Sequence, residues 1–333
     1  MRLCIFGAGA MGTVLGAHLA RAGVSVDLVS RNRAHVEAMR LHGAKIVGKA
    51  NFVQTVTAYL PDELSEPYDL IFLMTKQRDN ANTAEFLKSI LKEDGAICTL
   101  QNGLPEPVIA EVIGPNRTYG CAAVWGANLL QPGVAELTSD DLSFSLGAFG
   151  KDSGKLQEIS SILSRMGRVY EEPNLMGARW AKLMINAAFS SLSVITGTTF
   201  GTVAKKFRSR KIALAILQEC IEVAEAAKIR IAPLQGHDVA KLFGYKTACK
   251  RCFSFAILPL CMKHHRDLVS GMLLDLKRGR RTEIDYINGV VCAYGRKFGV
   301  ATPYNDKAVE LVHGIENGIC ESSFESLVFF EKL

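Results

Sequence analysis

The chain has 333 residues, with 39 Lys plus Arg against 33 Asp plus Glu, a formal net charge of +6, 48% apolar residues and 22% charged ones. That balance excludes a mainly disordered chain, and the length exceeds what one hydrophobic core usually supports, so two domains are expected. The longest apolar stretch, Phe253 to Met262, is interrupted by Pro259 and is too short for the ~20 residues that cross a bilayer, so no membrane span is expected.

Leu3 to Phe6 is a short apolar run ending in glycine, and residues 10–22 carry a helical pattern that stops before Gly23. Val24 to Val29 reads as a second strand, followed by a helix over Arg33 to Leu41. Asp69 to Met74 has the pattern of a fully buried strand, with a helix near 80–92 and another strand at 96–100. From about 116 to 150 the chain is strand-rich, with a turn at Pro132-Gly133, then a helix near 153–166 and a short strand, Arg168 to Tyr170. This order predicts an α/β Rossmann-type domain over 1–172, its parallel sheet covered by helices on both faces. After Pro173 the pattern becomes helical over 175–194, 202–227, 237–262, 266–298 and 305–315, so residues 173–333 form an all-helical second domain.

Nine cysteines, odd in number and scattered from Cys4 to Cys320, read as free thiols of a reducing compartment. Met1-Arg2 followed by Leu3 to Ala17 imitates a secretory signal, but its glycines sit at a functional spacing, so a cytoplasmic protein is expected. The basic runs Lys205 to Arg208 and Lys277 to Arg281 read as solvated faces, since aromatic interleaving for base stacking is scarce, and nucleic acid is discounted. An excess of positive charge suits an anionic small molecule equally well.

Gly7-Ala8-Gly9-Ala10-Met11-Gly12 is a G-x-G-x-x-G placed directly after a strand and opening a helix. The first glycine permits the tight turn, the second lets the backbone approach a pyrophosphate, and the third lets helix and strand pack closely. A site for NAD places a carboxylate about 20 residues further on, against the ribose 2′-hydroxyl. This chain has Ser30-Arg31-Asn32-Arg33 there, and the Arg31 fork suits a 2′-phosphate, which favours NADP(H). Lys76 and Asn102-Gly103 follow two further strands at the end where open α/β sheets bind ligands. In the second domain Lys182, Asn186 and Ser190 are spaced four apart and share one helix face. Between Glu283 and Asp285, on a stretch read as an arginine-rich helix, physical reasoning alone does not choose.

Gly7-x-Gly9-x-x-Gly12, Asn102-Gly103, Lys182-x-x-x-Asn186, Thr282-Glu283-Ile284-Asp285 with Asn288-Gly289, and Gly299 to Pro303 occur in the order seen in ketopantoate reductases (2-dehydropantoate 2-reductases), which the chain resembles over nearly its whole length. The resemblance implies NADPH-dependent reduction of a 2-oxo acid, foremost ketopantoate in pantothenate biosynthesis. It makes Lys182 the proton donor and Glu283 the partner of a substrate hydroxyl. It also places Lys76 and Asn102 against cofactor and substrate, and Asn186 against substrate. Ser190 and Phe200 stand where the family has asparagines, and Gly271 where it has a serine, with the adjacent Ser270 as stand-in. Residues 233–265 look inserted and hold Cys249-x-x-Cys252, Cys261 and His264-His265, a modest zinc signal that is not adopted, because Cys252 to Met262 reads as a buried apolar helix. The rival readings are a dehydrogenase of a more apolar 2-hydroxy acid and a non-catalytic NADP(H) sensor. A small-molecule ligand and a monomer or homodimer are expected.

Overall fold

The computed structural model describes residues 1–234 and 236–333, apart from the side chain of His264. It divides into two compact units, Met1–Leu175 and Met176–Leu333.

The first unit runs β1 (Leu3–Phe6), α1 (Ala10–Arg21), β2 (Asp27–Val29), α2 (Arg33–His42), β3 (Ala44–Gly48), β4 (Phe52–Gln54), β5 (Thr57–Tyr59), β6 (Tyr68–Leu73), α3 (Asn80–Ser89) and β7 (Leu91–Thr99). It continues through α4 (Glu106–Ile113), β8 (Thr118–Ala123), β9 (Ala127–Gln131), β10 (Val134–Leu137), β11 (Ser143–Ala148), α5 (Leu156–Leu163) and β12 (Arg168–Glu171). The main sheet has the order β12-β11-β8-β7-β6-β1-β2-β5, parallel except where β11 meets β8. Its central strands are unbroken apolar runs because both faces are covered. Leu3, Ile5, Leu70, Phe72, Ala96 and Cys98 pack with Val14, Leu15 and Leu19 of α1 on one face. Cys4, Phe6, Ile71, Leu73 and Ile97 pack with Leu87 of α3 and Ile109 and Ile113 of α4 on the other. From β1 the chain winds outward through β2 to β5, then returns to β6 on the opposite side of β1. The winding reverses between β1 and β6, and ligands of such sheets bind at that point.

Several elements depart from the sequence reading. The strand expected from Val24 begins at Asp27, and the helix expected to reach 92 stops at Ser89 because β7 starts at Leu91. Helix α4 and strands β3 to β5 were not expected. The strands are three to five residues long, too short to show a period. β3 and β4 join β9 and β10 in a second, four-stranded sheet of order β4-β3-β10-β9.

The second unit contains α6 (Leu175–Thr196), α7 (Phe200–Lys205), α8 (Phe207–Ala226), α9 (Val239–Phe243), α10 (Ala248–Cys261), α11 (Gly271–Lys277), α12 (Asn288–Phe298) and α13 (Pro303–Glu316). Among the described residues its only β pairing is an isolated bridge, Leu234 to His237. Three of the long predicted helices are broken. The 202–227 stretch parts at Lys206, whose backbone is extended (φ −73°, ψ 131°). The 237–262 stretch parts between α9 and the Thr247 cap, whose hydroxyl accepts from Lys250 N–H. The 266–298 stretch parts at the Ser270 cap and again beyond Lys277. The presumed arginine-rich helix around Glu283 is therefore a loop leading into a 3₁₀ turn, Ile284–Tyr286. Residues 252–262 are helical almost to the end, but not a buried helix as expected. Only Ser254 and Leu258 of α10 are buried, while Phe253 is 52% and Leu260 70% exposed.

Candidate functional site

In the first unit the glycine-rich turn lies between β1 and α1. Gly7 and Ala8 N–H both donate to Val29 O, at 3.0 and 2.8 Å, tying the turn to the end of β2. Gly7 has φ +110°, and a Cβ there would lie 2.5 Å from Thr75 N, so both conformation and space require glycine. A Cβ on Gly12 would lie 2.5 Å from Gly7 O, the close helix–strand approach that the third glycine serves. By contrast, a Cβ on Gly9 would meet nothing within 4 Å. Helix α1 starts at Gly9 with no side-chain cap and no acidic residue in its first turn. An open backbone turn at a positive helix end is the shape and charge that a pyrophosphate needs, so these residues fit the nucleotide the motif implies.

Arg31 is exposed, two residues beyond β2, and Asn32 caps α2 by accepting from His35 N–H at 3.2 Å. Asp27 accepts from Tyr68 Oη at 2.9 Å and lies 3.6 Å from Arg2, at the amino end of the strands and away from the glycine turn. Lys76 and Asn102 are both exposed, beyond β6 and β7, whose pairing reaches Leu73 opposite Thr99 and continues with Leu100 N–H donating to Leu73 O at 2.9 Å. Gly7, Ala8, Gly9, Ala10, Met11, Gly12, Arg31, Lys76 and Asn102 therefore gather along the carboxyl edge of β2, β1, β6 and β7, across the reversal point.

His35 carries no motif or period that marks it. It is 1% exposed, and Gly133 N–H donates to its Nδ1 at 2.8 Å. The ring proton therefore sits on Nε2, which donates to Thr13 Oγ1 at 2.9 Å. Burial pulls its pKa below the ordinary value, against the backbone hydrogen bond to Ala8, and keeps the ring neutral. Helix α1, helix α2 and the β9–β10 turn are thereby fastened behind the glycine turn.

In the second unit α6 is mostly apolar and central. Trp180, Ala181, Leu183, Met184, Ala187, Ala188, Phe189 and Leu192 are at most 1% exposed, and Trp180 Nε1 donates to Cys220 O at 2.9 Å. Lys182 and Asn186 are half-buried on it and Ser190 is buried. Phe200 is buried with its ring 5.7 Å from that of Phe189. The Ser270 hydroxyl caps α11, accepting from Leu273 N–H at 3.0 Å, and a Cβ on Gly271 would meet nothing within 4 Å. The structure separates the two carboxylates that the sequence did not. Asp285 is exposed and bound to His313 Nε2 at 2.8 Å, whereas Glu283 is half-buried. Cys249, Cys252 and Cys261 are exposed, and no three His, Cys, Asp or Glu side chains among the described residues are grouped to hold a metal. The His264 side chain of the zinc reading lies outside the described residues.

A buried carboxylate elsewhere in the unit, Glu219, was not anticipated. Glu219 of α8 accepts from Tyr304 N–H (2.8 Å), Asn305 N–H (2.9 Å) and Asn305 Nδ2 (2.7 Å) at the start of α13. Asn305 Oδ1 in turn accepts from Asn288 Nδ2 at 3.0 Å, which also reaches Ala187 O of α6 at 3.1 Å. Burial outweighs the three donors and pushes the Glu219 carboxyl up to about 7. A carboxyl raised on folding contributes stability that is full below its ordinary range and is lost as pH rises through 7. The 2.5-unit span from the ordinary 4.5 corresponds to about 3 kcal/mol at most. Glu219→Gln should therefore show a flatter loss of stability than the parent between pH 5 and pH 8 by urea titration. Equal slopes would contradict the assignment.

The family profile described as "Ketopantoate reductase PanE/ApbA" matches residues 3–151, and that of its C-terminal domain matches residues 174–316. The 2-dehydropantoate 2-reductase of Pyrococcus horikoshii is 29% identical over 310 residues, covering 92% of this chain and 94% of its own. That of Lactococcus lactis is 28% identical over 325 residues, covering 95% and 98%. Among solved structures, a D-mandelate dehydrogenase with NADH and anilino(oxo)acetate superposes with a TM-score of 0.82 at 28% identity, covering 96% of this chain and 99% of that one.

Proposed function

The chain belongs to the ketopantoate reductase family, and on that premise we propose that it reduces a 2-oxo acid to the 2-hydroxy acid with NADPH, ketopantoate being the first candidate. The observation that carries the reading is the edge of β2, β1, β6 and β7. There the open turn at Gly9 accepts a pyrophosphate, and Arg31 stands where a carboxylate would select NAD. NADPH, when bound, supplies the hydride. Lys182, as an ammonium, stabilises the charge developing on the ketone oxygen and delivers the proton. Asn186, with Ser190 or Ser270, orients the substrate carboxylate and hydroxyl, Glu283 holds a substrate hydroxyl, and Lys76 and Asn102 align the reactants. Nine free cysteines fit a cytoplasmic protein.

A second reading, a more apolar 2-oxo acid, is favoured by the buried Phe200 and by the D-mandelate dehydrogenase likeness, whose bound ligand carries an aromatic ring. The test is NADPH and NADH oxidation with a panel of 2-oxo acids. Turnover of ketopantoate supports the first reading, turnover of aromatic or branched acids alone supports the second, and turnover of none defeats both.

Cofactor choice has its own test. Arg31→Ala should weaken NADPH by about 1.5–3 kcal/mol, the range for a lost hydrogen bond to a charged group, and leave NADH nearly unchanged. Equal affinities of the parent for both nucleotides in a fluorescence titration would refute the role of Arg31.

A further inference from the structure

Lys76 and Asn102, the two exposed groups beyond β6 and β7, each have a buried glutamine as chain neighbour. Gln77 and Gln101 are each 4% exposed, although glutamine usually stays at the surface. Their side chains cross in opposite directions. Gln77 Nε2 donates to the backbone carbonyl of Asn102. Gln101 Nε2 donates to the backbone carbonyl of Thr75 at 2.9 Å, one residue before Lys76.

Gln101 is further held in a cyclic amide pair. Its Nε2 donates to Asn80 Oδ1 at 2.8 Å, while Asn80 Nδ2 donates to Gln101 Oε1 at 3.0 Å. That oxygen also accepts from Thr99 Oγ1 at 3.0 Å. Asn80 opens α3 and Thr99 closes β7, so strand, helix and both loops meet at one amide. A buried amide with both ends satisfied is rigid, and it has one geometry in which all its partners are reached.

We propose that Gln77 and Gln101 are positioning residues, a reciprocal clasp that holds the Lys76 and Asn102 loops at one separation so that both engage the nucleotide together. The proposal rests on the reading of this edge as the NADPH site. The clasp acts through backbone carbonyls, so it sets the place of Lys76 and Asn102 whatever their own side chains do. Losing one hydrogen bond to a charged group of the nucleotide costs roughly 10–100-fold in affinity.

Three variants test it by NADPH fluorescence titration, with melting temperature recorded alongside. Gln101→Leu removes the donor and should weaken NADPH by about 10–100-fold. Gln77→Met removes the single bond to the Asn102 carbonyl and should weaken it less. Gln101→Glu is the diagnostic case. As a carboxylate it faces the Thr75 and Asn80 oxygens with no donor, whereas protonated it regains one O–H. Its affinity should recover about 10-fold between pH 8 and pH 5, with no such gain in the parent. Tyr119→Phe, buried in the same unit and bonded to Asp152 at 2.6 Å, serves as a stability control. Unchanged affinity in all three variants overturns the clasp, as does equal weakening in Tyr119→Phe at a matched melting temperature. If the parent turns over a 2-oxo acid while the variants bind normally, the clasp alone fails. If the parent binds neither nucleotide, the reading of the edge fails and takes the clasp with it.

Discussion

Lys182→Ala should lower turnover by roughly 10²–10⁴, the range for a positioned general acid, while leaving NADPH affinity unchanged. The separation follows from placement. Every residue assigned to the nucleotide lies within Met1–Leu175, whereas Lys182 sits on α6 of the other unit. Lys182→Arg should recover only part of the loss, because a guanidinium retains the positive charge but does not release its proton. Single-turnover measurements at saturating NADPH give the comparison. Near-parental turnover in Lys182→Ala at neutral pH would remove the lysine from the mechanism.

Selectivity for ketopantoate over 2-oxoisovalerate, which lacks the hydroxymethyl extension, should fall below about 10⁴-fold. A site built to bond a hydroxyl rejects the analogue without it by about 10⁴–10⁵, whereas an apolar contact discriminates by about 10–200. Three positions depart from the polar pattern that the family resemblance implies. Ser190 is shorter than asparagine, Phe200 is apolar, and Gly271 has no side chain. Restoring asparagine at 200 would remove a buried ring that packs on Phe189, and a loss of 3–5 kcal/mol is usual for emptying such a site. Gly271→Ser is the cleaner variant, since its Cβ would enter open space, and it should raise the ratio of kcat/KM values toward ketopantoate. A parental preference above about 10⁴-fold would show that a polar readout persists despite these three departures.

The glycine turn, the strands around it and Arg31 were legible because each depends on a few consecutive residues with a fixed spacing. Lys182 and Asn186 share a face by helical arithmetic, and α6 satisfies it. The difference between the surroundings of Glu283 and Asp285 was not legible, because it depends on His313, a partner 28 residues further along the chain from Asp285. His35, Gln101 and Glu219 were missed for a related reason. A buried polar residue reads in sequence like an exposed one, and its partners (Gly133, Asn80 and Asn305) lie far off along the chain. The helical break near Lys206 was invisible because no proline or glycine announces it, whereas the one before Thr247 had signals that the long helical pattern overrode, the Gly244 C-cap and the Thr247 N-cap. The exposed face of α10 misled for the opposite reason, since an apolar stretch in sequence says nothing about what covers it.

The second sheet has a consequence for the order in which the chain can fold. β3 closes its inner edge by pairing in parallel with β10, Lys45 opposite Val134 through Gly48 opposite Leu137. The His35 ring likewise finds its acceptor role only when Gly133 is in place. Ribosomes add roughly 5–20 residues per second, so that edge waits some 4–18 s for its partner after β3 has emerged. During that interval β4 alone covers β3, through the pairs Ala44–Gln54, Lys45–Val53 and Ile46–Phe52. Short length and the charge of Lys45 are the devices that keep an open strand edge from recruiting another chain. The anchor behind the glycine turn is therefore completed only well after the turn itself has been made.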